Sequence, residues 1–178
     1  FFYIHMFRKI VIASDSFKGS LTSAEVAEAA TLGIHETCPE CIVKTVCIAD
    51  GGEGTAKILT DALNGTMVSA MVHDPLGRLI EASYGIHTDS DGVCTAVMEM
   101  AQASGLPLLE VHERNPLLTS TYGTGEMIAD AIGRGCRRFL IGIGGSATND
   151  GGTGMLEALG FRFIGKDGKA LHGCCGGI

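Results

Sequence analysis

The sequence predicts an α/β protein, a parallel-sheet unit followed by a second α/β unit with antiparallel strands. Three observations carry this reading. Residues 9 to 65 alternate strand-like and helix-like segments, the order that a parallel sheet with crossover helices requires. Between residues 66 and 98, three apolar runs are joined by turns short enough to link only antiparallel neighbours. Residues 138 to 154, Arg-Phe-Leu-Ile-Gly-Ile-Gly-Gly-Ser-Ala-Thr-Asn-Asp-Gly-Gly-Thr-Gly, carry a buried-strand pattern into a glycine-rich loop and a helix start.

The elements follow in order. Lys9 to Ser14 reads as a fully buried strand. Thr22 and Glu25 form a capping box, and Leu21 with Val26 a hydrophobic staple, so a helix starts there. Val26, Ala29, Ala30 and Gly33 are its expected inward stripe, and Cys38-Pro39 its end. Cys41 to Ala49 is a second strand, and Thr55 to Leu63 a second helix closed by Asn64-Gly65. Met67 to Val72, Leu79 to Ile86 and Val93 to Met98 are the three strands, separated by turns at Asp74–Gly77 and Asp89–Gly92. The change of rhythm places a domain boundary near Gly65 to Asp74. A helical stretch around Met98 to Ser104, a proline-containing loop, a helix from Gly125 to Arg134, a strand from Phe139 to Ile143 and a helix from Met155 to Leu159 complete the order. Met6 is the expected start, with residues 1 to 5 an extension without function. The glycine-rich end from His172 to Ile178 reads as a loop cut in mid-course, so a fragment is the expectation.

Composition narrows the function. A 46% hydrophobic content describes a chain that buries a core, and no run approaches the length of a membrane span. A net charge of −7 argues against nucleic acid or an anionic membrane as partner. An anion site in such a molecule draws on local positive potential, from Lys18, Lys57, Arg78 and helix N-termini. Seven cysteines without a secretory signal indicate a reducing compartment. Cys38-Pro-Glu-Cys41 precedes a strand, whereas a redox C-x-x-C opens a helix. His35, Cys38 and Cys41 with His172, Cys174 and Cys175 offer zinc ligands, but the spacing matches no common zinc module. His73, His87 and His112 have no partner spacing and read as surface or turn histidines.

Four loops carry the chemistry. In parallel sheets ligands bind beyond the carboxyl ends of the strands. Asp15-Ser16-Phe-Lys18-Gly-Ser20 follows the first strand and Asp50-Gly51-Gly52-Glu53-Gly-Thr55 the second, so Asp15 and Asp50 occupy equivalent ends. Two such carboxylates suit a magnesium ion or proton acceptance, and Lys18 an anionic group. The plainer alternative is that Asp50 caps the second helix and Ser20 the first. In the third loop, Asn115 to Glu126, hydroxyls and glycines again precede a helix; Thr124 is its expected N-cap, and Thr119–Thr121 with Gly123–Gly125 can line a pocket. The fourth, Gly142 to Gly154, ends at a helix N-terminus where N–H groups favour an anion, and Asp150 within it suggests phosphate with a metal. Gly142, Gly144 and Ala147, with Asp167, also satisfy a dinucleotide fingerprint, which keeps an oxidoreductase in view. No Walker A or protein-kinase signature occurs.

Taken together, Asp15–Ser20, Ala49–Thr55, Asn115-Pro116 with Thr119–Glu126, and Ile141–Gly152 resemble the bacterial glycerate kinases of type I, in order along nearly the whole chain. The resemblance implies transfer of the ATP γ-phosphoryl group to D-glycerate with magnesium, giving 2-phosphoglycerate in most members. It implies a cytoplasmic enzyme and is compatible with a homodimer. It also implies that residues 6–65 begin a flavodoxin-like domain and that 66–178 belong to an inserted second α/β domain. Family chains continue well past residue 178, so the return to the first domain is missing. For that reaction the expected catalytic residues are Lys18, neutralising phosphate or the glycerate carboxylate, and Asp50 and Asp150, either of them a metal ligand or a proton acceptor with Asp15 as partner. Substrate or nucleotide would meet Asp15, Ser16, Gly51, Gly52, Glu53, Thr121, Gly123, Thr124, Gly125, Gly144, Gly145, Ser146, Asn149 and Gly151. The family usually has Pro where Ser14 stands. The rival readings are a non-catalytic fragment of such a kinase, a dinucleotide-dependent oxidoreductase and a zinc-binding module.

Overall fold

The computed structural model describes residues 8–17, 19–48 and 50–171, which divide into two units on either side of the Asp50–Gly51 bond. In the first unit, β1 (Lys9–Ser14) and β2 (Ile42–Cys47) pair in parallel, from Lys9 against Ile42 to Ser14 against Cys47. The crossover is α1 (Ser23–Thr37). Its capping box is present, with Thr22 N–H donating to Glu25 Oε2 at 2.7 Å and Glu25 N–H to Thr22 Oγ1 at 3.3 Å. The buried face differs from the expected stripe. Ser23 and Ala27 are buried, with Val26, Thr31 and Ile34 half-buried, whereas Ala29, Ala30 and Gly33 face outward. An alanine-rich helix presents small apolar residues on several sides, so its spacing does not select one. One sheet face stays open, with Val11, Ile42 and Val46 58%, 61% and 52% exposed. Ala49, the expected end of the second strand, lies outside the described residues, as do residues 1–5 and 172–178.

The second unit begins with α2 (Thr55–Ala62), ahead of the boundary expected near Gly65. Packing explains the difference, since α2 lies on a sheet of this unit, where a side chain at Gly85 would collide with Thr60. The helix ends as Asn64-Gly65 predicts. Asn64 takes a φ of 53°, Gly65 N–H reaches Thr60 O at 2.8 Å, and Asn64 N–H reaches Asp61 O at 3.0 Å, the paired bonds of a Schellman ending.

β3 (Thr66–His73), β4 (Leu79–Thr88) and β5 (Cys94–Glu99) form the expected antiparallel meander, and β6 (Arg138–Gly142) joins β5 in parallel. The order is therefore β3-β4-β5-β6. Successive residues of β5 point to opposite faces. Ala96 and Met98 enter the main core with Val72, Ala82 and Tyr84, which α4 (Tyr122–Gly133) covers with Met127, Ile128 and Ala131. Glu99, on the other face, turns toward α2. α3 (Ala101–Ser104), α5 (Thr153–Ala158) and a hairpin of β7 (Phe163–Ile164) with β8 (Ala170–Leu171) complete the unit. α4 starts earlier than expected, so its N-cap is Thr121, and Thr124 lies in its first turn with its hydroxyl 2.7 Å from Ser104 Oγ.

Candidate functional site

Two glycine loops meet at the carboxyl ends of β5 and β6. Gly144 N–H donates to Gly51 O at 2.9 Å. A Cβ on Gly142 would lie 2.5 Å from Gly51 O, and one on Gly144 2.8 Å from Gly52 Cα. Only residues without a Cβ allow main chain to meet main chain this closely. Further bonds fix the course of the second loop. Met100 N–H donates to Gly142 O and Leu106 N–H to Gly145 O, while Ala147 N–H reaches Ser104 O, all at 2.9 Å. Thr119 Oγ1 donates to Ala147 O at 2.9 Å, and Ser146 Oγ lies 2.9 Å from Thr148 Oγ1. Asn149, Gly145 and Gly151 lie on its exposed rim.

Asp150 joins this loop to the third one. Its side chain is buried, at 8% exposure. Oδ2 accepts Thr121 N–H at 2.8 Å, Thr121 Oγ1–H at 2.8 Å and Gly154 N–H at 3.2 Å, and Oδ1 accepts Gly152 N–H at 3.0 Å. Thr121 Oγ1 in turn accepts Met155 N–H at 2.9 Å. One carboxylate therefore serves the N-termini of both α4 and α5. A carboxylate of the protein thus sits at the start of α5, and Asp150 braces the loops. Gly125 and Gly154 permit the close packing of the two helix starts, since side chains there would strike Met155 O and Ser120 Oγ.

Glu99 is the functional-looking residue that sequence reading missed. It is 2% exposed and accepts Ala56 N–H at 2.6 Å, at the start of α2. Burial pushes its carboxyl above the usual carboxylate range, while the Ala56 and Gly54 N–H groups pull it down and the nearby Glu53 charge pushes it further up. This corrects the capping alternative for Asp50. The N-cap of α2 is Gly54, and Glu99 supplies the carboxylate from a distant strand. The signal was a lone acidic residue ending the apolar run Ala-Val-Met-Glu, one position past the expected strand. The first helix is likewise capped by Thr22, with Ser20 outside it.

In the first unit, Asp15 and Asp50 follow the ends of adjacent parallel strands, as expected. Asp15 Oδ1 accepts Ser16 N–H at 2.7 Å. Lys18 lies outside the described residues. Within the second unit Gly51 and Gly52 meet Gly142 and Gly144, and Gly145, Ser146, Asn149 and Gly151 follow along the loop. Asp150 ties that loop to Thr121, and Glu53 is exposed. Gly123, Thr124 and Gly125, expected to line a pocket, are instead buried against His73 O, Ser104 and Met155, because they pack the first turns of α4. His73 is more than a surface histidine: Nδ1 lies 2.9 Å from Glu126 Oε1, and its ring meets Tyr122 edge-on at 6.0 Å. Arg78 pairs with Asp74 and Glu113, which holds the turn after β3, and it is committed there as a cation.

The dinucleotide alternative loses its geometry. α5 begins at Thr153, well past Ala147, the fingerprint glycines pack on Gly51 and Gly52, and Asp167 sits in the β7–β8 turn bonded to Lys169 N–H. Among the described residues no group of three or more His, Cys, Asp or Glu side chains converges for a metal, and no helix is long and apolar enough to cross a membrane. A cavity of about 460 Å³ between the end of α2 and strands β3 and β4 contains none of the expected site residues.

The fold and the loops define the class, an α/β protein that gathers glycine loops at the carboxyl ends of its strands. Comparison with known proteins narrows it. The profile of the glycerate kinase family matches residues 10–178. A glycerate kinase from Bacillus subtilis (strain 168) is 49% identical over 163 residues, covering 92% of this chain and 42% of that protein. A glycerate 2-kinase from Escherichia coli (strain K12) is 47% identical over 163 residues, with the same coverage of 92% and 42%. The crystal structure of a glycerate kinase 2 from Salmonella typhimurium LT2 superposes with a TM-score of 0.72 at 44% identity, covering 93% of this chain and 43% of that one. The chain belongs to the glycerate kinase family, and it spans less than half the length of these relatives.

Proposed function

We propose that the protein containing this chain phosphorylates D-glycerate with ATP and magnesium, giving 2-phosphoglycerate in the cytoplasm. The observation that carries this reading is the main-chain meeting of two glycine loops beside a third loop, in a chain of this family. Phosphoryl transfer asks mainly for positioning and charge neutralisation. The exposed rim of the second glycine loop, with Gly145, Asn149 and Gly151, holds the phosphates, and Asp150 ties that loop to the start of α4. Asp50 would hold the magnesium, while Asp150, whose Oδ2 accepts three donors, is engaged with its own loops. Magnesium, when bound with ATP, would offset phosphate charge. Lys18 neutralises phosphate or the glycerate carboxylate, and Asp15 and Ser16 orient the substrate beside Asp50.

The test is to supply the complete protein with D-glycerate, ATP and magnesium, following ADP release and the product by phosphorus NMR. The expected result is 2-phosphoglycerate. No product, while the Bacillus subtilis relative turns over in the same assay, overturns the proposal. A second reading, that residues 1–178 alone do not turn over, is favoured by the open face of the two-stranded sheet and by the 42% coverage of the relatives. The same assay on this chain alone decides it.

A further inference from the structure

The core cluster of the second unit contains two thiols placed for a reaction that phosphoryl transfer does not use. Cys94, the first residue of β5, and Cys136, in the turn between α4 and β6, lie 42 positions apart in the chain with their sulfurs 3.0 Å apart. That is within about 1 Å of the disulfide bond length of about 2.05 Å. Both backbones are held where the sulfurs meet. Arg137 N–H donates to Cys94 O at 2.9 Å and Cys136 N–H to Ala131 O at 2.9 Å. Closing the bond therefore asks for side-chain movement, with the strand register and the end of α4 already set. The two residues also differ in exposure, Cys94 being half-buried and Cys136 having no exposed surface.

We propose that Cys94 and Cys136 form a reversible dithiol site that takes low-molecular-weight disulfides of the glutathione type. The Cys94 thiolate attacks one sulfur of the small disulfide. The S–S bond breaks, and one small thiol leaves with the proton that Cys94 gave up. The Cys136 thiolate then attacks Cys94 Sγ, and the second small thiol leaves with the proton of Cys136. The two cysteines lose two electrons and the small disulfide gains them. The order follows from the exposure of Cys94 and from the burial of the Cys136 thiol. Burial above all, with the Cys94 sulfur beside it, pushes the Cys136 thiol up to about 11, although Arg137 and Arg134 pull it down. Cys94 is therefore the entry point and Cys136 the resolving thiol.

The product closes a covalent ring that contains α3, the third loop and α4, the elements that Asp150 ties to the second glycine loop. Oxidation thus ties the start of β5 to the far end of α4, at the opposite end of that helix from Thr121.

The experiment treats the reduced chain with glutathione disulfide under native conditions, blocks free thiols, and maps peptides by mass spectrometry without reduction. The expected result is a Cys94 peptide joined to a Cys136 peptide, lost again on adding reduced glutathione. In C136S the expected product is a glutathione adduct on Cys94, and C94S yields neither species. Recovery of both cysteines as blocked free thiols, or their linkage to other cysteines, overturns the proposal. The wild-type map decides even if a variant fails to fold.

Discussion

At the scale of single residues, Asp150 carries a bracing duty that its sequence context does not show. Its type and its place in a glycine loop marked it for phosphate or metal chemistry. Sequence does not show where the neighbouring N–H groups point, and here they point at Asp150 itself. Removing the carboxylate leaves buried donors at two helix starts without an acceptor. Asp150→Ala is expected to lower stability by about 3–4 kcal/mol, and Asp150→Asn, which must turn an amide N–H toward one donor, by about 1–2 kcal/mol. Urea unfolding monitored by circular dichroism measures both. Near-wild-type midpoints would show that the brace contributes little. Glu99 is the opposite case, since a charge one step past a strand reads as solvent-facing until the strand's neighbours are known.

At the scale of elements, capping chemistry that is local in sequence was legible, and capping from afar was not. Thr22 with Glu25 and Asn64 with Gly65 lie within a few positions of the ends they close. α2 starts on Glu99, 43 positions away from Ala56, and α5 starts on a glycine with Asp150 beside it. The Glu99 arrangement has a pH signature. Its folded-state pKa stands above the ordinary value, so the stability it contributes is fully present below the ordinary carboxylate pKa. That contribution is lost as pH rises through the folded value. The stability of the wild type relative to Glu99→Gln is therefore expected to fall on going from about pH 4 to about pH 7. Urea midpoints of the two proteins at both pH values check this, and a difference that stays constant would contradict it. The strand boundaries of the meander were legible because alternation and Asp/Gly turns fix them together. The buried face of α1 was not, because its alanines leave the inward direction open.

At the scale of the whole molecule, the two units differ in how much of themselves they bury. The second has a four-stranded sheet with α4 on one face and α2 on the other. The first has a two-stranded parallel sheet with an open apolar face, and parallel sheets are ordinarily covered on both faces. Backbone amides of β1 and β2 are expected to exchange with deuterium at least about ten-fold faster than those of β4 and β5 in this chain, as less protected units open more often. Equal protection in a mass-resolved exchange experiment would mean that the first unit is sound as it stands. The α/β class, the parallel pairing of β1 with β2 and the antiparallel meander β3 to β5 could be argued from pattern alone, whereas the parallel seat of β6 beside β5 could not. The division at Asp50–Gly51 could not, because it depends on Thr60 lying against Gly85, a contact between residues far apart in sequence.

The meeting of the two glycine loops is made of main-chain atoms on both sides, at Gly51 and Gly52 and at Gly142 and Gly144. Side chains keep a contact during evolution by changing in pairs, and such paired changes are what make a contact detectable by covariation. A contact between bare backbones has nothing to exchange. It can be kept or lost but not traded, so it leaves invariant positions rather than correlated ones, and its partners are invisible to any method that looks for residues changing together.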